Sequence, residues 1–419
     1  MSAVYHRTRA RPYRLCRRRR SPLTCIDLFS GAGGLAEGFR AAGWRIVVAS
    51  DSDEFAAQTF QANFPKTLFI RRDISLLASQ VLTSSSGLAR GELDCLLGGP
   101  PCQSFSYNNH ARSASNRRAQ LFRQYLRIVE DLLPKTLVME NVPGMLTIGG
   151  GAVIRAIRRK LARLGYECEA RILFAEDYGV PQTRRRVFII ASRVGWDGKL
   201  FPSGSHGPSV KPSVRANVHV HRWAPRSTQC ALPFETVWDA IGDLPPFSNG
   251  AVNVTLPYLA KPRSGFQVQS RRRSAAVHNH VAHRLAPKVL HRIRTVPEGG
   301  DWRDMPRRLL PSGMRRAEAN AHTKRYGRLS RQGMCCTILT KCDPHWGSYI
   351  HPTQDRVISV REAARLQTFP DRFHFCGPLT RQYEQVGNAV PPAVAHAIAR
   401  VMRRHLERAI MTPAPGMGR

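Results

Sequence analysis

Acidic residues are scarce in this chain: 29 Asp and Glu stand against 64 Lys and Arg, a formal charge of +35 over 419 residues. No acidic side chain occurs from 198 to 234, and the basic excess is spread along the chain instead of sitting in one tail. Such a field favours a polyanion, nucleic acid above all, although charge alone also fits a solvated arginine-rich surface. Long apolar runs are missing too. No stretch of 18 or more apolar residues is present, and the first twenty positions hold eight arginines without the apolar block of a secretory signal. No membrane contact is therefore expected, and a cytoplasmic protein is. Regular cysteine spacing is the third absence. Ten cysteines make no CxxC pair, which argues against a disulfide scaffold and a zinc ribbon. His278, His280 and His283 cluster without a nearby Cys or carboxylate, so no metal site is expected there.

From residue 23 to 192, short apolar runs alternate with helical patterns: "LTCIDLF", then 34–42; "RIVVAS", then 53–62; "DCLLGG", then 119–133; "TLVME", then 152–164; and "RRVFIIA". This alternation predicts an α/β fold with a parallel, doubly wound, Rossmann-like sheet. Beyond about 195 the chain becomes rich in Pro, Ser, Gly, His and Arg and loses its periodicity, until "RVISVREAARLQTFP" and a last helix from Pro391 restore it. The expected division is a basic arm over 1–22, a ligand-binding domain over 23–195, an inserted small module over 196–355, and a segment over 356–410 that completes the first domain.

Glycine-rich "DLFSGAGGLAEGF", at 27–39, follows an apolar strand and opens a helix, a geometry that lets backbone approach a ligand. Gly31, Gly33 and Ala36 match the G-x-G-x-x-A dinucleotide pattern, and Asp51 falls where a carboxylate grips a ribose hydroxyl. A nicotinamide dinucleotide and S-adenosylmethionine share these features, so both stay open at this point. Asp73, after a third apolar run, suits either an adenine amino group or a helix cap. In "GGPPCQSFS", at 98–106, two prolines and a glycine turn hold Cys102 at a strand end. A buried cysteine is commonly inert packing, but this setting turns the thiol toward a ligand crevice. "ENVPG", at 140–144, and "QTRRRVF", at 182–188, each adjoin a strand of the same sheet. Arg184 and Arg186, two apart on an expected strand, are assigned to one face, and Arg185 to the other.

These blocks, with "REAARLQTFP" and "QVGNAVPP" following in order, resemble the DNA cytosine-5 methyltransferases over nearly the whole chain outside the arm and the variable part of the insert. The resemblance implies an S-adenosylmethionine-dependent methyltransferase fold, an inserted target-recognition domain, and double-stranded DNA as substrate. It implies that Cys102 adds to carbon 6 of a flipped-out cytosine, that Glu140 assists at ring nitrogen 3, and that Arg186 holds the cytosine carbonyl with Arg184 nearby. It assigns Phe29, Gly31, Ala32, Gly33, Gly34, Asp51, Ser52, Asp73, Ile74, Pro100, Asn388 and Val390 to the cofactor, with no metal required. Asp51 stands where the family more often has glutamate, and Ser52 where a bulky residue commonly covers the adenine. A monomer in the bacterial cytoplasm, associated with the nucleoid through DNA, is expected. Membership of a restriction-modification system, with a separate cognate endonuclease, and a solitary role both stay open.

Overall fold

Seven strands form the central sheet: β1 (Thr24–Leu28), β2 (Arg45–Asp51), β3 (Leu68–Arg71), β4 (Cys95–Gly98), β5 (Thr136–Asn141), β6 (Glu167–Phe174) and β7 (Arg185–Ser192), in the order β3-β2-β1-β4-β5-β7-β6. The computed structural model describes residues 22–101, 121–195, 200–207, 232–251, 255–318 and 324–411. The expected arm, Cys102 with the loop after it, and most of the Pro- and Ser-rich start of the insert lie outside the described residues.

Strands β1 to β5 pair in parallel, whereas β7 runs antiparallel to both β5 and β6. The wholly parallel sheet expected from the alternation is thus corrected to a mixed one. The reason is connection length: β6 and β7 are joined only by 175–184, and a parallel crossover needs about a dozen residues or more. Strand β6 itself, "ECEARILF", escaped the apolar pattern because it is an edge strand with one face largely in solvent. Around β1 the chain winds both ways, to β2 on one side and β4 on the other, which opens a crevice at the carboxyl ends of these strands.

Alternation along each strand supplies two apolar faces. Leu137 and Met139 of β5, with Val187 and Ile189 of β7, pack against α3 (Ser79–Ser86), α4 (Leu121–Leu132) and α5 (Ala152–Arg163). Val138, Phe188 and Ile190 face the other way, into a core shared with α1 (Gly34–Ala41) and α2 (Glu54–Asn63).

That second face is completed from the far end of the chain by α6 (Val360–Leu366), α7 (Leu379–Asn388) and α8 (Pro392–Met411). Helix α8 lies along α1, where the Trp44 indole N–H donates to Ala399 O at 3.2 Å. Residues of the intervening stretch, among them Val237, Ile241, Cys335 and Ile338, join the same core, while Ile293, Trp302, Met314, Tyr326 and Ile350 build a smaller separate one. Buried ion pairs tie these parts together: Arg365 of α6 bonds Asp243 and Asp371, and Arg356 bonds Glu362. Breaking one such pair would leave an uncompensated buried charge, at a cost of about 3–5 kcal/mol. Among the described residues no helix is long and apolar enough to cross a membrane.

Candidate active site

The turn after β1 needs left-handed backbone. Phe29, Gly31 and Gly33 have φ of 53°, 52° and 98°, and for Phe29 that conformation is strained. The turn is held by the end of β2: Gly31 N–H donates to Asp51 Oδ2 at 2.8 Å and Asp53 N–H donates to Oδ1 at 3.0 Å. Asp51 is thereby fixed with lone pairs to spare. Burial raises its pKa, and the backbone N–H groups pull it back.

Gly34, the first residue of α1, lies against the last segment of the chain. A Cβ there would sit 2.3 Å from Val390 O, so only glycine fits. Gly33 has a different task. It is the left-handed N-cap of α1, and a side chain on it would strike the Phe64 ring at 2.8 Å.

A cavity of ≈ 360 Å³ opens between these elements. It is lined by every expected cofactor residue except Gly33: Phe29, Gly31, Ala32, Gly34, Asp51, Ser52, Asp73, Ile74, Pro100, Asn388 and Val390. Glu140 and Arg186 line the same cavity, as do Gly99 and Pro101. Asp73 lines the cavity and also caps the turn Ile74–Leu76 by accepting from Ser75 N–H at 2.8 Å. Cys102 follows Pro101 directly and lies outside the described residues.

Glu140, near the end of β5, faces Arg186 at the start of β7, with Nε 3.1 Å from Oε1. Burial raises the pKa of Glu140, and Arg186 followed by Arg184 offsets part of that rise. The expected pairing of Arg184 and Arg186 on one site face is corrected. Arg184 precedes β7, is buried, and donates to the carbonyls of Ile338, Gly387 and Ala389 at 3.2, 2.9 and 2.9 Å. It clamps distant segments together and does not line the cavity. Arg185 is exposed, as expected.

Sequence reasoning passed over Asn141, whose Nδ2 donates to Pro100 O at 3.1 Å and so secures the turn before Cys102. It also passed over Arg381, Glu384 and Gln385, which line the cavity with Asn388. These four sit at i, i+3, i+4 and i+7 of α7, so helical spacing from Asn388 was the available signal. The three clustered histidines part ways: His280 is buried between Ser359 and Pro245 O, His278 meets Thr255, and His283 stacks on Tyr383.

Below the glycine turn, Asp27 of β1 is fully buried, and neither carboxyl oxygen has a hydrogen-bond partner among the described residues. Desolvation, then the nearby Asp51 carboxylate, push its pKa up to about 8. The backbone N–H of Ala36 compensates only in part, without a formed hydrogen bond.

Sheet order, glycine turn and cavity define a doubly wound α/β domain with a ligand crevice at the carboxyl ends of its strands. The comparisons narrow this: residues 23–404 match the family described as C-5 cytosine-specific DNA methylase, and the chain belongs to that family. Type II methyltransferase M.AgeI of Thalassovita gelatinovora is 32% identical over 90% of this chain and 98% of its own length. DNA (cytosine-5)-methyltransferase 1 of Mus musculus is also 32% identical, but the chain spans only 28% of that relative's length. A crystal structure of an E. coli prophage protein, described as a DNA modification methyltransferase, aligns over 92% of this chain and 99% of its own, with a TM-score of 0.68 and 25% identity.

Proposed function

We propose that this protein transfers the methyl group of S-adenosylmethionine to carbon 5 of a cytosine in a short sequence of double-stranded DNA. One observation carries the proposal: the Asp51-pinned glycine turn, the Pro100–Pro101 turn and the Glu140–Arg186 pair line a single cavity. Family membership and the resemblance to M.AgeI support it.

The residues present fit the cofactor. Its sulfonium and ammonium are cationic, and carboxylates at Asp51, Asp53, Asp73 and Glu384 line the cavity above the buried Asp27. Asp51 would hold the ribose, the 29–34 turn would lie against the methionine part, Asp73 and Ile74 would flank the adenine, and Asn388 and Val390 would close the far wall. When bound, S-adenosylmethionine supplies an electrophilic methyl group on sulfur.

Carbon 5 of cytosine is too weakly nucleophilic to take that methyl unaided. Cys102, one peptide bond beyond Pro101, is the nucleophile in this reading. Its thiolate adds to carbon 6, which leaves an enamine whose carbon 5 can accept the methyl group. Loss of the carbon 5 proton to a base then expels the thiolate, and ring and enzyme are restored. Glu140, with its raised pKa, keeps a proton available for ring nitrogen 3, while Arg186 orients it and holds the cytosine carbonyl. The base must leave the helix to arrive here, at a cost of a few kcal/mol that phosphate contacts to the basic surface help offset.

In this account 23–195 and 356–410 form the catalytic domain and 196–355 reads the surrounding bases. A restriction-modification role beside a separate endonuclease is the reading that the resemblance to a Type II methyltransferase supports. The test is DNA carrying 5-fluorocytosine. Carbon 5 then has no proton to lose, so the adduct should persist as a denaturation-resistant complex that needs the cofactor and maps to Cys102. A protein that methylates DNA yet forms no such complex would contradict the covalent route.

A further inference from the structure

Helix α5, "AVIRAIRRKLAR", carries five basic side chains and no acidic one. Its inner side is fixed by the core, where Val153, Ile157 and Leu161 are buried. At 3.6 residues per turn, Arg155, Arg158, Arg159 and Arg163 fall on the opposite side, and all four are exposed. They make a stripe about 12 Å long, at a rise of about 1.5 Å per residue. No carboxylate neutralises it. Glu130 is taken by Lys160 at 2.6 Å, and Glu169 of β6 by Arg171. Among the described residues none of the four arginines pairs with an acidic side chain, and Arg155 donates to Gly150 O at 2.6 Å. The arrangement works against the helix itself. Like charges at i and i+4, as in 155 with 159 and 159 with 163, repel, and Arg155 stands in the first turn, where the helix dipole disfavours a cation.

The stripe is separate from the candidate active site. Strands β5 and β6 run in the same direction, since both oppose β7, and α5 is the crossover between them. It therefore leads from the carboxyl edge of the sheet, where the cavity opens, back to the amino edge. It packs on the side of α3 and α4, whereas Val237, Ile241, Cys335 and Ile338 of the insert join the core on the other side. The arginines thus point away from the insert. A duplex held between cavity and insert leaves them free for another stretch of polyanion.

We propose that Arg155, Arg158, Arg159 and Arg163 form a second contact for duplex DNA, apart from the cavity, which grips the phosphates of one strand without reading sequence. This rests on the DNA reading of the preceding section. The dimensions agree: phosphates of one strand follow at about 3.4 Å along the duplex axis, so a stripe of about 12 Å spans about three or four of them. A lipid surface fits poorly, because the apolar side of α5 is already buried and has nothing to insert. Contacts of this kind carry charge and no base information, so they hold any DNA. A second grip of that sort keeps the enzyme on its polymer while the cavity lets go of one cytosine and meets the next.

The test asks whether the protein holds two duplexes at once. Beads carry a short duplex with the cytosine context that the wild type methylates, and a fluorescein-labelled duplex of A·T pairs alone is offered in solution over a range of salt. The wild type should capture the labelled duplex, with a log–log salt slope of about −3. Combining Arg155→Ala, Arg158→Ala, Arg159→Ala and Arg163→Ala should reduce capture by about tenfold or more, and Arg159→Ala alone should lower the slope by about one. The four matching lysine changes should keep most of it, because a phosphate accepts either cation. Tm and affinity for the bead duplex should not fall in any variant. Capture that survives the combined alanine changes, or no capture by a wild type that methylates DNA, overturns the second contact and leaves the function standing. Equal losses in the alanine and lysine sets with a lowered Tm overturn it in favour of a packing role. Displacement of the labelled duplex by poly-glutamate as readily as by DNA of equal charge overturns it in favour of an acidic protein partner. A wild type that neither binds nor methylates DNA removes the function itself and this inference with it.

Discussion

Arg186 meets Glu140 across two antiparallel strands, with Nε 3.1 Å from Oε1, and both side chains line the cavity that the glycine turn completes. The pair explains how a buried carboxyl is kept oriented, and in the proposed mechanism the pair contacts the base directly. Glu140→Gln keeps the shape and removes the titrating proton. Its kcat should fall by about 10²–10⁴-fold, while DNA affinity stays within about threefold. Single-turnover rates and binding isotherms separate the two; a change confined to affinity would take Glu140 out of the chemistry.

Arg184 gives the opposite prediction. Its guanidinium serves the carbonyls of Ile338, Gly387 and Ala389, so Arg184→Ala leaves buried acceptors unpaired. A stability loss of at least about 3 kcal/mol is expected, seen as a lowered Tm, with weakened binding of S-adenosylhomocysteine. Arg186→Ala should lower activity with a smaller fall in Tm than Arg184→Ala, because Glu140 lines the cavity and its raised pKa lets it take up a proton once its partner is gone. If the two variants behaved alike, the separation of a clamp from a site residue would be wrong.

Much of the site was legible because its blocks are local. A glycine turn, a Pro-Pro turn and a strand-end carboxylate each declare their geometry within a few residues, and the cavity is lined by residues of all three. What stayed hidden depended on distance in sequence. The partners of Arg184 lie in segments near 338 and 388, so strand alternation alone assigned it to the wrong surroundings. The direction of β7 was set by the short link before it, and β6 by its place at the sheet edge. Asn141 went unnoticed because nothing in "ENV" reveals that its amide reaches Pro100.

Gly34 tests the contact between the first and last segments. Gly34→Ala places a methyl group 2.3 Å from Val390 O, an overlap that backbone must move to relieve. A destabilisation of about 1–3 kcal/mol is expected, together with at least tenfold weaker binding of S-adenosylhomocysteine by calorimetry. Unchanged affinity would mean that this contact does not shape the cofactor cavity.

Asp27 makes stability depend on pH. Its folded pKa of about 8 lies above the unfolded value, so the folded state holds the proton more tightly. The stabilising contribution is complete below the unfolded pKa and is lost as pH rises toward and through about 8. Asp27→Asn should flatten this trend and be the more stable variant at alkaline pH, as denaturant unfolding at pH 5, 7 and 9 would register. A wild type that gains stability over that range relative to Asp27→Asn would contradict the assignment.

The most direct test of the central claim is bisulfite sequencing of DNA from methylation-free cells that express either this protein or Cys102→Ser. The account predicts conversion-resistant cytosines in one recurrent short context with the wild type and none with the variant, while both proteins bind S-adenosylhomocysteine. Protected cytosines that persist in the Cys102→Ser cells would contradict the covalent mechanism, and full conversion in both, with folded protein present, would contradict the methyltransferase function itself.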